Sequence, residues 1–278
     1  MKNETPEFLK DILKTSDDIW SKGWAERNAG NLSLRLREEV LPEEKLLDFS
    51  SPWQNLSRPL PEIKNEFFLV SGTGKYIRNI QLEPEKNLGI IQLDENGARY
   101  RTVWGYSDGG RPTSELAAHL QAHAVKKVAT EGSNRAIIHT HPTNIVALTY
   151  ALDMDTCSIT RLLWEMHAEC IVVFPEGIEF LPWMMAGSDQ IAEATAKAFQ
   201  LRNLVIWQYH GIFGSGKDLD EAFGLIDTAE KAAEIYIKAA SAGGIKHKLP
   251  LDKLVSIAEN FGQHPAADIL AELAARES

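Results

Sequence analysis

Cysteine is nearly absent: Cys157 and Cys170 are the only two in 278 residues. Each sits in an apolar setting, Cys170 within Cys170-Ile171-Val172-Val173-Phe174, so buried thiols in a reducing compartment are expected rather than a disulfide framework. Positive charge is also short, with 29 Lys and Arg against 39 Asp and Glu and a net charge of −10. That balance argues against a nucleic-acid binder, which needs an excess of basic side chains. It leaves room for a small anionic substrate, which needs only a local positive field. No apolar run approaches the length of a membrane span, and the first residues are polar and acidic, unlike a secretory signal. A cytoplasmic protein that contacts neither nucleic acid nor membrane is expected. Repeats and low-complexity segments are missing too. What is plentiful is hydrophobic side chain, 44% of the chain, enough for one large domain over 1–278 with an insertion at 37–65 and C-terminal helices at 245–278.

Periodicity organises the chain. Leu9, Ile12, Leu13, Ile19 and Trp20 predict a helix over 6–23, and Leu32, Leu34 and Leu36 alternate as in a strand. Residues 37–65 are charged and carry Pro42, Pro52, Pro59 and Pro61, which reads as a surface excursion. Strands are predicted at 66–70, 88–93 and 99–104, the last two joined through Asp94-Glu95-Asn96-Gly97 as a hairpin. Pro112 opens a helix to about Thr130, a strand follows over 135–139, and helices follow at 142–152 and 155–167. Glu169–Phe174 and Ile178–Leu181 read as strands around the turn Pro175-Glu176-Gly177. Ser188 N-caps a helix to Leu201, and a long helix runs from Leu219 to Ala242, stopped by Gly243-Gly244. Short helices near 250–261 and 265–275 follow. Hairpin-like strand pairs mixed with helices predict an antiparallel-rich sheet covered by helices on both sides.

Chemistry concentrates at histidines. The apolar run Arg135-Ala136-Ile137-Ile138 ends in His139-Thr140-His141, and side chains at i and i+2 of a strand share a face. A second apolar run, Leu204 to Tyr209, ends in His210. Three imidazoles with one open position describe a catalytic zinc site; the plain alternative is that each His merely ends a strand. Asn28-Ala29-Gly30-Asn31, Ser71-Gly72-Thr73-Gly74-Lys75 and Pro112-Thr113-Ser114-Glu115 are loops whose N–H groups suit an anion, or are ordinary turns. Nucleotide fingerprints fail: Leu69 and Tyr76 break a Walker loop, and Ile77 breaks G-x-G-x-x-G. A small phosphorylated metabolite fits better. Glu115, in the first turn of a helix, is either a complement to the helix dipole or a general base beside metal and phosphate. His119 and His123 lack the Glu of H-E-x-x-H and read as polar-face or packing residues. Glu169 is an exposed strand-edge charge or a second acid/base.

Together these stretches resemble the class II aldolase/epimerase family, whose sugar-phosphate enzymes hold zinc with a His-x-His pair and a later His. The resemblance runs from Gly23-Trp24-Ala25-Glu26-Arg27-Asn28 to Gly224-Leu225-Ile226-Asp227-Thr228-Ala229-Glu230-Lys231. It is carried by Asn31-Leu32-Ser33-Leu34-Arg35-Leu36, Pro112-Thr113-Ser114-Glu115-Leu116, Cys170-Ile171-Val172-Val173-Phe174-Pro175 and His210-Gly211-Ile212-Phe213-Gly214-Ser215-Gly216. Two positions depart from it: Ala29 stands where Gly is expected, which limits backbone approach to a phosphate, and Pro142 stands where Ala is familiar. The resemblance implies an α/β fold of α+β topology, three layers (α/β/α) with a central, mainly antiparallel sheet. It implies a homotetramer with four-fold symmetry, active sites at subunit contacts, and one Zn2+ per chain held by His139, His141 and His210. Glu115 is then the base, and Asn28, Asn31, Thr73, Gly74, Thr113 and Ser114 hold the phosphate of a ketose. Glu169, from a neighbouring subunit, works on the aldehyde side of a metal-dependent aldol cleavage. Another sugar-phosphate aldolase, a 4-epimerase or a dehydratase would share this site; a metal-free binding module, as in the adducin head, resembles the same fold.

Overall fold

Leu32 and Ser33 are neighbours on one strand and point to opposite faces of it, yet both are fully buried. A strand covered on both faces is the middle layer of a layered fold. The computed structural model describes residues 6–37, 39, 41 and 50–277. Part of the 37–65 insertion (38, 40 and 42–49) therefore lies outside the described residues. The described part carries a two-residue strand and a 3-10 turn, Pro61–Ile63.

Nine strands are described: β1 (Asn31–Arg35), β2 (Gln54–Asn55), β3 (Phe67–Ser71), β4 (Leu88–Leu93), β5 (Arg99–Gly105), β6 (Ala136–Thr140), β7 (Ile178–Leu181), β8 (Leu204–Trp207) and β9 (Gly211–Gly216). Their order in the sheet is β2-β5-β4-β3-β1-β6-β9-β8-β7. The sheet is mostly antiparallel, with β7 and β8 parallel. Besides the one-turn helix Pro84–Asn87, the described α-helices are α1 (Glu7–Ser21), α2 (Leu116–Ala129), α3 (Thr143–Ala151), α4 (Thr156–Met166), α5 (Glu169–Val173), α6 (Asp189–Ala198), α7 (Leu219–Ser241), α8 (Leu251–Asn260) and α9 (Ala267–Glu277). None of the described helices is long and apolar enough to cross a membrane.

The chain divides into two compact units: Met1–Thr140 with Met185–Gln200 and Ser215–Ala222, and His141–Met184 with Leu201–Gly214 and Phe223–Ser278. In the first, Asp94 closes the β4–β5 hairpin by accepting from Ala98 N at 2.8 Å and Arg99 Nε at 2.8 Å. Gly97 is required there: its φ is +65°, and a Cβ would stand 2.2 Å from Leu60 O. Phe68, Val70, Ile91 and Leu93 form one face of β3 and β4, on which Leu116, Leu120 and Ala124 of α2 pack. Helix α2 in turn packs against α6. In the second unit, Asp155 caps α4 through a capping box with Ser158.

One expected strand is a helix. Residues 169–173 form α5, although Ile171-Val172-Val173 favours a strand by propensity. The burial explains it: Cys170, Ile171 and Phe174 are buried while Val173 is exposed. That spacing suits a helical face and not alternation. Both cysteines are buried and free, as expected.

His119 and His123 pack inward on α2 and are fully buried. Burial drives the His119 imidazole down to about 3 and His123 well below its ordinary 6.5. Both are neutral in the folded chain. Below pH ~6.5 the unfolded chain takes up protons that the native one refuses, so stability falls with pH by about 1.4 kcal/mol per unit and per imidazole. The urea midpoint should drop between pH 7 and pH 5, and the drop should be shallower in His123→Leu. An equal pH dependence in that variant would contradict the buried, neutral assignment.

Candidate metal centre

The β6 run Ala136–Thr140 is buried throughout, pairing with β1 so that Asn31 stands opposite His139. His139 is the last residue but one of the run and is fully buried; His141 follows directly after the strand, half-buried. His210 joins them, and the ligand nitrogens of the three lie within 4.8 Å of one another. Nitrogen ligands of one tetrahedral ion stand about 3.4 Å apart, so the three are near the spacing of a shared ion. Three imidazoles suit zinc and other first-row transition metals, not Mg2+ or Ca2+.

His210 does not sit on a strand. Strand β8 stops at Trp207, and Gln208–His210 form the turn into β9. Tyr209 has φ +64°, which ends extended structure, and His210 N donates to Trp207 O at 3.1 Å to close the turn. The ring of His210 meets that of His141 edge-on at 4.9 Å and that of Trp207 at 5.4 Å.

Helix α3 serves both of these histidines. It begins directly after His141-Pro142, and its Thr149 hydroxyl accepts from Tyr209 N at 3.1 Å. The Tyr150 and Tyr209 rings pack 4.5 Å apart beside that bond. Pro142 offers no side-chain cap to α3. Glu230 of α7 does so instead, accepting from Asn144 N at 3.0 Å, Asn144 Nδ2 at 2.8 Å and Ile145 N at 2.9 Å. Burial pushes its carboxyl up from the usual value, against the pull of these three donors. The sequence offered no signal for this role, because the partner lies some 85 residues away.

Glu115 occupies the N-cap of α2 rather than its first turn, since the helix begins at Leu116. Pro112 and Thr113 are held out of the helix by the Gly72–Pro112 bridge and by Thr113 N donating to Ser71 O at 3.0 Å. The buried Glu115 carboxylate accepts from Asn31 Nδ2 at 2.9 Å, and its Oε2 lies 3.6 Å from His139 Nε2.

Three loops gather at this end of the first unit. Thr73 N donates to Arg111 O at 3.0 Å, and Leu32 N donates to Ser71 Oγ at 3.0 Å. Thr73, Gly74, Thr113 and Ser114 thus share one knot of backbone, with Gly74 and Ser114 exposed and Thr113 buried. Asn28 is exposed on the turn before β1. Gly30 has φ +77°, and a Cβ there would stand 3.2 Å from His139 O. Lys75 is paired with Asp108. Glu169 stands exposed in the first turn of α5 and is not part of the histidine group.

Glu230→Ala should leave the first N–H groups of α3 without their acceptor, a cost of about 1–3 kcal/mol. The loop carrying His141 should loosen, weakening metal retention on the order of 10- to 100-fold. Competition with a chelator measures it. Unchanged metal affinity in a folded variant would show that the cap does not set the His141 position.

Known proteins resemble this chain in sequence and fold. The family model of the class II aldolase and adducin N-terminal domain matches residues 10–237. A rhamnulose-1-phosphate aldolase of Escherichia fergusonii is 47% identical over 265 residues, covering 95% of this chain and 97% of its own. One of Pectobacterium atrosepticum is 47% identical over 259 residues, covering 93% and 94%. Among solved structures, a sugar-phosphate aldolase from Thermotoga maritima superposes with a TM-score of 0.75 at 28% identity, covering 86% of this chain and 97% of that one. The chain belongs to the class II aldolase and adducin N-terminal domain family.

Proposed function

We propose that this chain is a metal-dependent aldehyde-lyase that reversibly cleaves L-rhamnulose 1-phosphate into dihydroxyacetone phosphate and L-lactaldehyde, a step of rhamnose catabolism. One observation carries the reading: three imidazoles converge, and a buried carboxylate stands 3.6 Å from one of them. The 47% identity to rhamnulose-1-phosphate aldolases over nearly the whole chain supports the choice of substrate. The metal is assigned as Zn2+, one per chain. The same reading takes the working form as a cytoplasmic homotetramer with four-fold symmetry.

When bound, the ion supplies Lewis acidity to the substrate's ketone and adjacent hydroxyl oxygens. That removes the need for a lysine Schiff base. Glu115 moves the proton at the carbon beside the ketone. In the synthetic direction it takes this proton from the hydroxymethyl carbon of dihydroxyacetone phosphate; in cleavage it returns one to the same carbon. Its burial and its proximity to His139 suit a carboxylate working as a base. The phosphate is assigned to Asn28, Asn31, Thr73, Gly74, Thr113 and Ser114. Asn31 spends one N–H on Glu115, and the second N–H of that amide is its donor for the phosphate. Glu169, exposed on α5, is assigned to the site of a neighbouring subunit, where it carries the proton of the aldehyde oxygen.

Glu115→Gln should keep the fold and the metal and slow proton abstraction by about 10²–10⁴-fold. Exchange of the hydroxymethyl proton of dihydroxyacetone phosphate in deuterated water, with no aldehyde present, reads that step alone. A wild-type exchange rate in the variant would remove Glu115 from the role of base.

The assignment of Glu169 predicts complementation between chains. Glu115→Ala and Glu169→Ala are mixed unfolded and refolded together, with refolded wild type as control. About a quarter of the sites should then hold both residues intact, and activity should rise toward that fraction. Mixed oligomers no more active than either parent would place Glu169 in its own chain's site or outside catalysis.

A further inference from the structure

A buried row of polar side chains runs from Glu115 into the interior. Asn31 Nδ2 donates to Glu115 Oε2 at 2.9 Å, and Asn31 Oδ1 is bonded to His119 Nε2. His119 Nδ1 lies 2.6 Å from Ser33 Oγ, which lies 2.8 Å from His123 Nε2. All five residues are buried, and Ser33, His119 and His123 are completely so. Two repeats match to build it. Asn31 and Ser33 are i and i+2 on β1, about 6.7 Å apart along a strand. His119 and His123 are i and i+4 on α2, about 6 Å apart along a helix.

We infer that this row is a one-directional hydrogen-bond chain, His123 to Ser33 to His119 to Asn31, which locks the Glu115 carboxylate in place, with His119 as the positioning residue that orients Asn31. The direction follows from either end. A carboxylate only accepts, so the Asn31 amide must face it through Nδ2 and offer Oδ1 to His119. An amide oxygen only accepts, so His119 carries its proton on Nε2. His119 is neutral, so its Nδ1 is a lone pair and takes the Ser33 proton. The Ser33 oxygen is then left to accept from His123 Nε2–H. At the far end, His123 Nδ1 has no hydrogen-bond partner among the described residues. A buried N–H without an acceptor is rarer than an acceptor without a donor, so the single proton of His123 sits on Nε2. Both ends give the same sense.

The chain forbids the flipped form of Asn31, which would set oxygen against carboxylate and N–H against N–H. Glu115 Oε2 is thereby kept beside His139. Neutral imidazoles supply this order without placing a cation near the metal ligands, where it would oppose a bound cation. The functional consequence rests on the reading of Glu115 as the base; the direction of the chain does not.

Solid-state ¹⁵N NMR of the histidine-labelled holoenzyme tests the direction, with His119→Gln and His123→Leu giving the assignments. Both imidazoles should be neutral Nε2–H tautomers. An Nδ1–H form at either would overturn the chain, whatever the enzyme's substrate. The consequence is read by hydroxymethyl proton exchange of dihydroxyacetone phosphate. His119→Leu should lose about 10- to 100-fold in exchange rate at saturating dihydroxyacetone phosphate while metal content stays unchanged. His119→Gln, whose amide offers one donor and one acceptor in similar places, should recover most of the rate. A folded His119→Leu with a wild-type rate would overturn the positioning role. Should His119→Leu not fold, Asn31→Asp, equal in shape but unable to donate to Glu115, should show the same loss; a wild-type rate there would overturn it equally. If the wild type itself exchanges no such proton, the aldolase reading fails, and the tautomers still decide the chain.

Discussion

The constraint on which the site depends is the end of β6, a strand buried along its whole length. A strand so enclosed holds its last side chains still, and His139 inherits that rigidity. His141, two residues on, is held by the start of α3, which Glu230 caps from α7. His210 is held by a turn tied to Thr149 of the same helix. Each histidine is therefore placed by contacts outside the histidine group. A metal bound by the three would gain from that arrangement, because the cost of ordering them is met on folding.

Within the first unit the same end of the sheet assembles the rest. Asn31 pairs opposite His139, Leu32 N is bonded to Ser71 Oγ, and the loops at 71–74 and 111–114 are joined through their backbones. The paired strands and the knotted loops bring a carboxylate and hydroxyl groups to one end. Such a combination suits a phosphorylated substrate that must lose a proton from carbon beside its ketone.

Much of this was legible in the sequence, for physical reasons. The His-x-His pair was visible because strand geometry has period two and the preceding run is apolar. The β4–β5 hairpin was visible because Asp94-Glu95-Asn96-Gly97 contains a glycine whose left-handed backbone the turn requires. What escaped was set by contacts distant in sequence. The 169–173 segment looked like a strand because β-branched residues favour one locally, while burial at 170, 171 and 174 makes it a helix. His210 looked like a strand end because periodicity cannot see the turn that Thr149 stabilises. His119 and His123 were read as polar-face or packing residues, because their partners, Asn31 and Ser33, lie more than 80 residues earlier. Glu230 carried no local mark of its role.

In the proposed function, His139, His141 and His210 hold one metal ion. An X-ray absorption spectrum of the protein loaded with one Zn2+ per chain tests it most directly. Three imidazole nitrogens at about 2.0–2.1 Å are expected, with their number reduced in His141→Ala and His210→Ala. A spectrum with thiolate ligands, or one unchanged by either substitution, would place the ion elsewhere and contradict the account.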